Sequence, residues 1–353
     1  MEMSARDILT LRPEGLYCPA GDFYVDPARP VPRAVITHGH ADHARTGHGA
    51  VLATPETLDI MAARYGQHFC KARQALTYRE TLYLGGVDVM LVPAGHVLGS
   101  AQVCITGRGA GQSGTIVVSG DYKRQRDPTC TAFEPVRCDI FITEATFALP
   151  VFRMPDAAAE IQKLLQSTRI FPGKAHLAGA YSLGKAQRLA ALIRAGGWDR
   201  PLYLHGAMDK ITRLYEEHGI SFGETRPVTA ENKRKLAGEI VLCPPSALSS
   251  TWSAGMGETL TCFASGWMRI RAHARKRGIE LPLSISDHAD WDDLTSTIIE
   301  TGCEEVWITH GEDAALTHWA SLRQLRARPL HMLGYGEEEA NEASANVLAE
   351  TGP

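Results

Sequence analysis

Four side chains that can ligate metal ions fall within six positions of the segment THGHADH, residues 37–43. They are His38, His40, Asp42 and His43. A predicted strand precedes them, and a loop that leaves the end of a strand can direct several side chains at one centre. The two alternate histidines can reach one ion, and the Asp-His pair after them can reach a second. Imidazole combined with carboxylate suits zinc, manganese or iron, so the segment predicts a metal site rather than a histidine-rich surface loop.

Three more residues with ligand side chains follow predicted strands: His96, Asp121 and His310. A single residue of this kind is more often structural. Together with the first segment, however, they place metal-ligating residue types at strand ends four times, which is how sites in α/β proteins are assembled. We therefore expect one centre built from several strand ends.

The elements that must position these residues are short in the first third of the chain. Apolar, β-branched runs there predict strands at residues 33–36, 87–92, 103–106, 115–118 and 139–142. A helix is predicted over residues 54–65, with Thr54 as its N-cap and Pro55 in its first turn.

The middle of the chain alternates helices with strands. Asp156 is the predicted N-cap of one helix and Ser182 of another, and strands are predicted at residues 175–178 and 201–205. Such alternation is typical of a parallel α/β sheet. The tail then predicts a helix over 291–301, a strand over 305–309 and a further helix after residue 311. The sequence therefore predicts an α/β fold in which both ends of the chain form one domain around an inserted α/β module.

Composition limits the possible functions of the chain. It has 353 residues, of which 44% are hydrophobic and 22% charged, and its net charge is −4. There is no overall basic field, so nucleic-acid binding would have to rest on local patches. No apolar stretch approaches the roughly 20 residues of a membrane span, and the N-terminus has no apolar signal-peptide core. The eight scattered cysteines predict reduced core thiols, so we expect a cytoplasmic protein.

These motifs together resemble the metallo-β-lactamase fold, an αββα sandwich with a two-metal site at one edge of its sheets. Its β-CASP branch consists of nucleic-acid hydrolases with an inserted cap domain, and the chain resembles that branch in Glu144, in His288 within SDHAD, and in His310. The insert, with YSLGKAQ at 181–187 and SGWMR at 265–269, is similar to the cap. The resemblance implies a metallo-β-lactamase domain from residues 1–155 and 284–353 and a β-CASP cap at 156–283.

Within the branch, SGWMR and SDHAD look most like the bacterial ligase-associated DNA exonucleases. This implies an exonuclease that acts on DNA in repair, with DNA rather than RNA as its substrate and a DNA ligase and a helicase as partners. One position departs from the related Artemis-like DNA nucleases, where valine usually stands in place of His310. RNA-cleaving members keep a histidine there, so His310 predicts a complete second metal site and leaves an RNA-processing ribonuclease as the alternative.

The resemblance also implies a role for each ligand. One divalent ion, zinc or manganese, would be held by His38, His40 and His96, and the other by Asp42, His43 and His310. Asp121 would bridge the two ions. Asp26, which precedes Pro27, would orient a ligand histidine, although an aspartate in this position also suits a simple turn.

The mechanism implied by the resemblance uses the same residues. A hydroxide shared by the two ions attacks phosphorus, and His288 protonates the leaving sugar oxygen. Glu144 would orient His288 or raise its pKa. The predicted catalytic residues are accordingly His288, Glu144, Asp121 and Asp42.

Contacts with the substrate must come from local groups. The predicted substrate-binding residues are Lys123, Arg124, Ser182, Gly184, Ser265 and Arg269. The last of these begins a basic run over residues 269–277, which suits either a phosphate contact or an ordinary solvated helix face. The turn at 182–184 would present backbone N–H groups to a phosphate, although a simple N-cap explains Ser182 equally well.

Two other functions compete with a nuclease. A small-molecule hydrolase of the same fold, such as a thioesterase or lactonase, would share the metal ligands, but the matched Glu144 and His288 and the cap-like insert argue against it. A metal-binding protein without catalysis is disfavoured by the complete ligand set.

Overall fold

The computed structural model describes residues 5–108 and 114–330, and the contacts within the chain divide it into two units. Unit 1 comprises Met1–Arg126, Cys130–Val151 and His288–Pro353, and unit 2 comprises Asp127–Thr129 and Phe152–Asp287. The described residues before 127 and after 287 therefore belong to unit 1, and the predicted insert at 156–283 lies in unit 2.

Strands and helices alternate irregularly along the chain. The strands are β1 Thr10–Arg12, β2 Gly15–Cys18, β3 Phe23–Val25, β4 Arg33–Val35, β5 His48–Ala53, β6 Cys70–Ala75, β7 Thr81–Leu84, β8 Val87–Pro93, β9 Ala101–Gly107, β10 Thr115–Val118, β11 Ile140–Ala145, β12 Ala175–Gly179, β13 Leu202–Leu204, β14 Thr225–Pro227, β15 Ile240–Cys243, β16 Thr259–Ala264, β17 Leu281–Leu283, β18 Glu305–Gly311 and β19 Arg326–Pro329. The α-helices are α1 Ala5–Ile8, α2 Pro55–Tyr65, α3 Ala157–Ile170, α4 Lys185–Ala195, α5 Gly206–Glu217, α6 Thr251–Ala254, α7 Arg271–Lys276, α8 Trp291–Thr301 and α9 Asp313–Ser321. Short 3₁₀ helices form at Lys233–Lys235, Pro245–Ser249 and Gly266–Arg269.

Unit 1 contains two sheets with an apolar core between them. The first sheet has the strand order β1-β2-β3-β4-β5-β6, and the second has the order β19-β18-β11-β10-β9-β8-β7. Alternation along each strand sends side chains to both faces of its sheet. In β10, Ile116 and Val118 join the core between the sheets, whereas Val117 faces the opposite side.

Helices cover the outer face of each sheet. Leu58 and Met61 of α2 pack against Ala34 and Val51 of the first sheet. The outer face of the second sheet is covered by α8 and α9, which contribute Leu294 and other residues to one cluster with Val117. Unit 1 is therefore layered helix, sheet, sheet, helix. The mixed α/β class is confirmed, and the layers are consistent with a metallo-β-lactamase-type fold.

Unit 2 is built on a third sheet, with the order β14-β13-β15-β12-β16-β17. Every neighbouring pair in it is parallel. The parallel α/β arrangement predicted for the middle of the chain is confirmed. Within the described residues, no helix of either unit has the length and apolar character needed to cross a membrane.

The N-termini of three helices can be compared with the N-cap residues predicted from the sequence. The Thr54 side chain caps α2 and the Asp156 side chain caps α3, as predicted. The prediction that Ser182 caps the next helix is wrong, because α4 begins after Gly184. Gly184 has a φ of 82°, which glycine adopts without strain, and its N–H donates to the Gln187 side chain at 2.9 Å.

Candidate metal centre

Three imidazole nitrogens converge in the interior of unit 1. His40 Nδ1 lies 3.1 Å from His38 Nε2 and 3.0 Å from His96 Nε2. Zinc–nitrogen bonds of about 2.0–2.1 Å place tetrahedral ligand atoms roughly 3.3 Å apart, so these spacings fit one ion. Asp121 Oδ2 lies 3.6 Å from His38 Nε2 and 3.8 Å from His96 Nε2. All four side chains are buried.

A second ligand group shares Asp121 with the first. Ligand atoms of His43, Asp121 and His310 all lie within 4.8 Å of one another. His43 Nε2 is 3.5 Å from Asp121 Oδ2 and 3.7 Å from Asp42 Oδ2. The carboxylate of Asp121 thus lies between two groups, each of which could bind an ion.

The second sheet brings most of these residues to one edge. Strands β8, β10, β11 and β18 all run in the same direction, because β8 and β10 are each antiparallel to β9 and the others pair in parallel. Their carboxyl ends therefore meet at one edge of the sheet. His96 follows β8, Asp121 follows β10, Glu144 lies near the end of β11 and His310 near the end of β18.

The histidine-rich loop reaches the same place from the first sheet, after β4. Its approach requires Gly120, which has a φ of 57°. A Cβ atom on Gly120 would lie 2.7 Å from the hydroxyl oxygen of Thr37, and a side chain there would push the two loops apart.

Asp26 and Thr37 determine which ring nitrogen carries the proton in His38 and in His43. Asp26 Oδ2 lies 2.8 Å from His43 Nδ1, and since a carboxylate only accepts, His43 donates from Nδ1. The Thr37 hydroxyl donates its only proton to Asp26 at 2.6 Å. His38 Nδ1, 3.0 Å from the same hydroxyl oxygen, must then be the donor to it. The Nε2 lone pairs of His38 and His43 are left for a metal.

Thr309 acts on His310 in the same way. Its hydroxyl donates to the Thr143 carbonyl at 3.2 Å, so His310 Nδ1, at 2.8 Å, donates to Thr309. His310 has a φ of 49°, an uncommon conformation for a residue with a side chain. Sequence reasoning missed both threonines, although each directly precedes a candidate ligand histidine.

The ionisable side chains of the cluster shift one another's pKa values. Burial would lower the pKa of His43, but the carboxylates of Asp121 and Asp42 hold it well above its ordinary value. Burial would raise the pKa of Asp121, but His43, with smaller contributions from His288 and His38, holds it well below the ordinary range. Burial and the nearby His43 hold the pKa of His38 well below that of a free histidine. This set of buried imidazoles and carboxylates suits a divalent transition metal.

A second buried pair lies next to the cluster. His288 Nδ1 is 2.8 Å from Glu144 Oε2 and 4.0 Å from Asp121 Oδ2. Glu144 also accepts the Tyr122 N–H at 2.8 Å and the Thr146 hydroxyl at 2.6 Å. Burial raises the pKa of Glu144, and the Asp121 carboxylate adds to the shift, whereas His288 opposes it.

The predicted substrate contacts have varied environments. Lys123 is only 1% exposed, and its ammonium lies 3.4 Å from the His288 carbonyl oxygen, so a solvent-facing phosphate contact is not what the structure shows. Arg124 makes two bonds to the Glu300 carboxylate, at 2.8 and 3.0 Å. In unit 2, Ser265 caps the 3₁₀ helix that ends at the exposed Arg269.

The exposed basic residues of unit 2 continue from that point along the chain. They are Arg269, Arg271, Arg275, Lys276 and Arg277. The predicted helix in this run is confirmed in part, because α7 covers Arg271–Lys276 only. Ser182 and Gly184 lie in the turn before α4.

Comparison with known proteins gives several relatives, although no protein-family profile matches the chain. A protein of Opitutus terrae named "Probable DNA ligase" is 30% identical over 332 residues, which cover 93% of this chain and 31% of that protein. "Endoribonuclease YSH1" of Gibberella zeae is 30% identical over 149 residues, which cover 41% of this chain and 17% of that protein. The chain thus spans a third or less of the length of these two relatives.

A further relative is of similar length. "Ribonuclease TTHA0252" of Thermus thermophilus is 27% identical over 392 residues, which cover 89% of each protein. Several relatives are thus named as ribonucleases, which supports the predicted enzyme class, a metal-dependent nuclease, and is consistent with the metallo-β-lactamase and β-CASP resemblance.

Proposed function

We propose that the chain is a metal-dependent phosphodiesterase of the β-CASP branch, with unit 2 as its cap, and that it acts as a DNA exonuclease in repair. The observation that carries this proposal is the hydrogen bond between Glu144 and His288 beside the buried His/Asp cluster. A cluster of ligands alone suits many hydrolases. A buried histidine oriented by a carboxylate adds the proton donor that the sugar oxygen needs as it leaves.

The residues present fit two divalent ions that share one carboxylate. His38, His40 and His96 would hold one ion, His43 and His310 with the neighbouring Asp42 would hold the other, and Asp121 would contact both. Bound ions would supply Lewis-acid activation of water and neutralise charge on the phosphate.

His288 and Glu144 supply the proton. Glu144 accepts from His288 Nδ1, so Nε2 is the nitrogen that presents a proton to the leaving oxygen. The Glu144 carboxylate stabilises the protonated imidazole before transfer and fixes its tautomer afterwards. The Tyr122 N–H and the Thr146 hydroxyl hold Glu144 in place for this purpose.

Similarity to the Opitutus terrae protein supports DNA as the substrate and a ligase as a partner. Nearly the whole of this chain matches one part of a protein that is named as a DNA ligase. We infer that cleavage by this chain prepares or removes DNA ends that a ligase would join, and that a helicase acts with them.

An RNA-processing ribonuclease is the second candidate. His310 completes the second ligand group, and relatives named as ribonucleases match the chain. The two functions require the same chemistry, and they differ in whether the substrate has a 2′-hydroxyl group.

One experiment separates these possibilities. The protein, loaded with manganese or zinc, is incubated with end-labelled single-stranded DNA and RNA of one sequence, and the products are resolved by length. Release of nucleotides from one end of the DNA is the expected result, whereas faster cleavage of the RNA would favour the second candidate. A matched His288→Ala preparation should be inactive, which excludes a contaminating nuclease. Cleavage of neither substrate by the wild-type protein would overturn both proposals.

A further inference from the structure

Lys123 lies in the interior of unit 1, although it is one of the predicted substrate-binding residues. We propose that Lys123 is a positioning residue that fixes the segment carrying His288, so that the imidazole stands ready to protonate the leaving oxygen. This inference rests on the proposed phosphodiesterase function. It assigns Lys123 a role through His288 rather than through the substrate.

Tyr122 and Lys123, the two residues after Asp121, contact both the His288 segment and Glu144. The Lys123 ammonium donates to the His288 carbonyl at 3.4 Å, and the Ala289 N–H donates to the Tyr122 carbonyl at 2.6 Å. On the other side, the Tyr122 N–H donates to Glu144 Oε1 at 2.8 Å. Two consecutive residues, Tyr122 and Lys123, therefore hold the backbone at His288 and the carboxylate that orients its ring.

The backbone of Lys123 is itself anchored to the loop that carries a candidate metal ligand. Its N–H donates to the Ala94 carbonyl at 3.0 Å, two residues before His96. Gly95 permits this close approach, because a Cβ atom there would lie 2.4 Å from the Lys123 carbonyl oxygen. Lys123 thus connects the segment that carries His288 with the loop that carries His96.

Charge favours the same arrangement. A buried ammonium is unfavourable unless polar or negative groups compensate for lost hydration. Besides the His288 carbonyl, the carboxylate of Asp293 in the first turn of α8 is near Lys123: burial and Asp290 raise the pKa of Asp293, and the charge of Lys123 opposes that shift. The ammonium therefore links the His288 carbonyl electrostatically to the start of α8, and a neutral side chain would lose this link.

The consequence for catalysis is specific to leaving-group protonation. A general acid works only when its proton lies within hydrogen-bond reach of the leaving oxygen. A small displacement of His288 should therefore slow cleavage of DNA, whose sugar oxygen is a poor leaving group. It should have little effect on a nitrophenyl ester, whose phenolate leaves without a proton.

The test compares Lys123→Met with the wild-type protein on two substrates, an oligodeoxynucleotide and the p-nitrophenyl ester of thymidine 5′-phosphate. General acids contribute about 10²- to 10⁴-fold to rate, so we expect kcat on DNA to fall by at least about tenfold. The rate on the nitrophenyl ester and the metal content should stay close to wild type. Arg108→Met is the matched control, because Arg108 is exposed and pairs with Asp88 away from the site.

Two further measurements keep the result unambiguous. In the zinc-loaded protein, the His288 Nδ1–H proton signal, identified by its absence from His288→Ala, should shift in Lys123→Met. Lys123→Arg restores a buried cation and should recover part of the activity on DNA. If Lys123→Met does not fold, the neutral and polar Lys123→Gln takes its place in the comparison. Equal losses on both substrates, loss of metal or an unchanged His288 signal would overturn the positioning role. Inactivity of the wild-type protein on both substrates would instead overturn the proposed function.

Discussion

The carboxylate of Asp26 accepts a hydrogen bond from His43 Nδ1 at 2.8 Å, deep inside unit 1. The same carboxylate accepts the hydroxyl proton of Thr37, which in turn receives His38 Nδ1–H. One residue therefore orients a histidine of each candidate ligand group. Asp26 also has a φ of 42°, so its position is maintained against an unfavourable backbone conformation.

Replacing Asp26 should weaken metal binding at both groups. Asp26→Asn keeps the shape but presents an amide, which can donate to His43 Nδ1 and favour the wrong tautomer. Loss of such an outer hydrogen bond typically costs about 10- to 100-fold in metal affinity. Competition with a zinc chelator measures this loss. Asp22→Asn, at an exposed position, is the control, and wild-type affinity in Asp26→Asn would contradict the role given to the carboxylate.

Thr309→Val should affect one ligand group only. Valine retains the shape of threonine but removes the oxygen that accepts His310 Nδ1–H. His310 can then carry its proton on Nε2, which would remove the lone pair needed for a metal. We expect calorimetric titration with zinc to show roughly tenfold weaker binding of one ion and an unchanged affinity for the other. Equal weakening of both ions would show that the threonine stabilises the fold rather than the ligand.

Much of this arrangement could be predicted from the sequence, because short-range patterns determine it. The apolar, β-branched run of β10 and the cap at Thr54 depend on neighbours a few positions away, and both were predicted. The ligand residues could be found for a related reason, since each lies near or shortly after the end of a strand, where the strand defines the direction of a side chain.

What could not be predicted depends on contacts between distant segments. Lys123 begins the basic segment KRQR, residues 123–126, and was predicted to contact the substrate, but its side chain donates to a carbonyl 165 positions later. The roles of Thr37 and Thr309 depend on where their hydroxyl protons go, and those acceptors lie 11 and 166 positions away. The cap of α4 was misassigned because Ser182 has the right chemistry, whereas the turn needed the positive φ of Gly184.

Metal binding should release protons at neutral pH. Without metal, burial would lower the pKa of His43, but Asp121 and Asp42 hold it well above its ordinary value, so we expect His43 to carry a second proton near neutral pH. Its Nε2 must lose this proton before it can bind an ion. Below the pKa of His43, the apparent affinity for the metal should rise about tenfold for each unit of increasing pH, because binding displaces one proton. Calorimetry at pH 7 in buffers of different ionisation enthalpy measures the protons released, and a value of zero would show that His43 is neutral or does not bind.

Glu144 and His288 should behave as one catalytic unit. Glu144→Gln replaces the acceptor of His288 Nδ1–H, and His288→Ala removes the acid itself. Because Glu144 acts through His288, the double variant should cleave DNA no more slowly than His288→Ala alone, and each single variant should lose about 10²-fold or more in kcat. Metal content should remain that of the wild-type protein in all three, since neither side chain belongs to the group around His40 or to the group around His310. Additive losses in the double variant would mean that Glu144 acts independently of His288, and loss of metal from His288→Ala would make His288 a ligand rather than the acid.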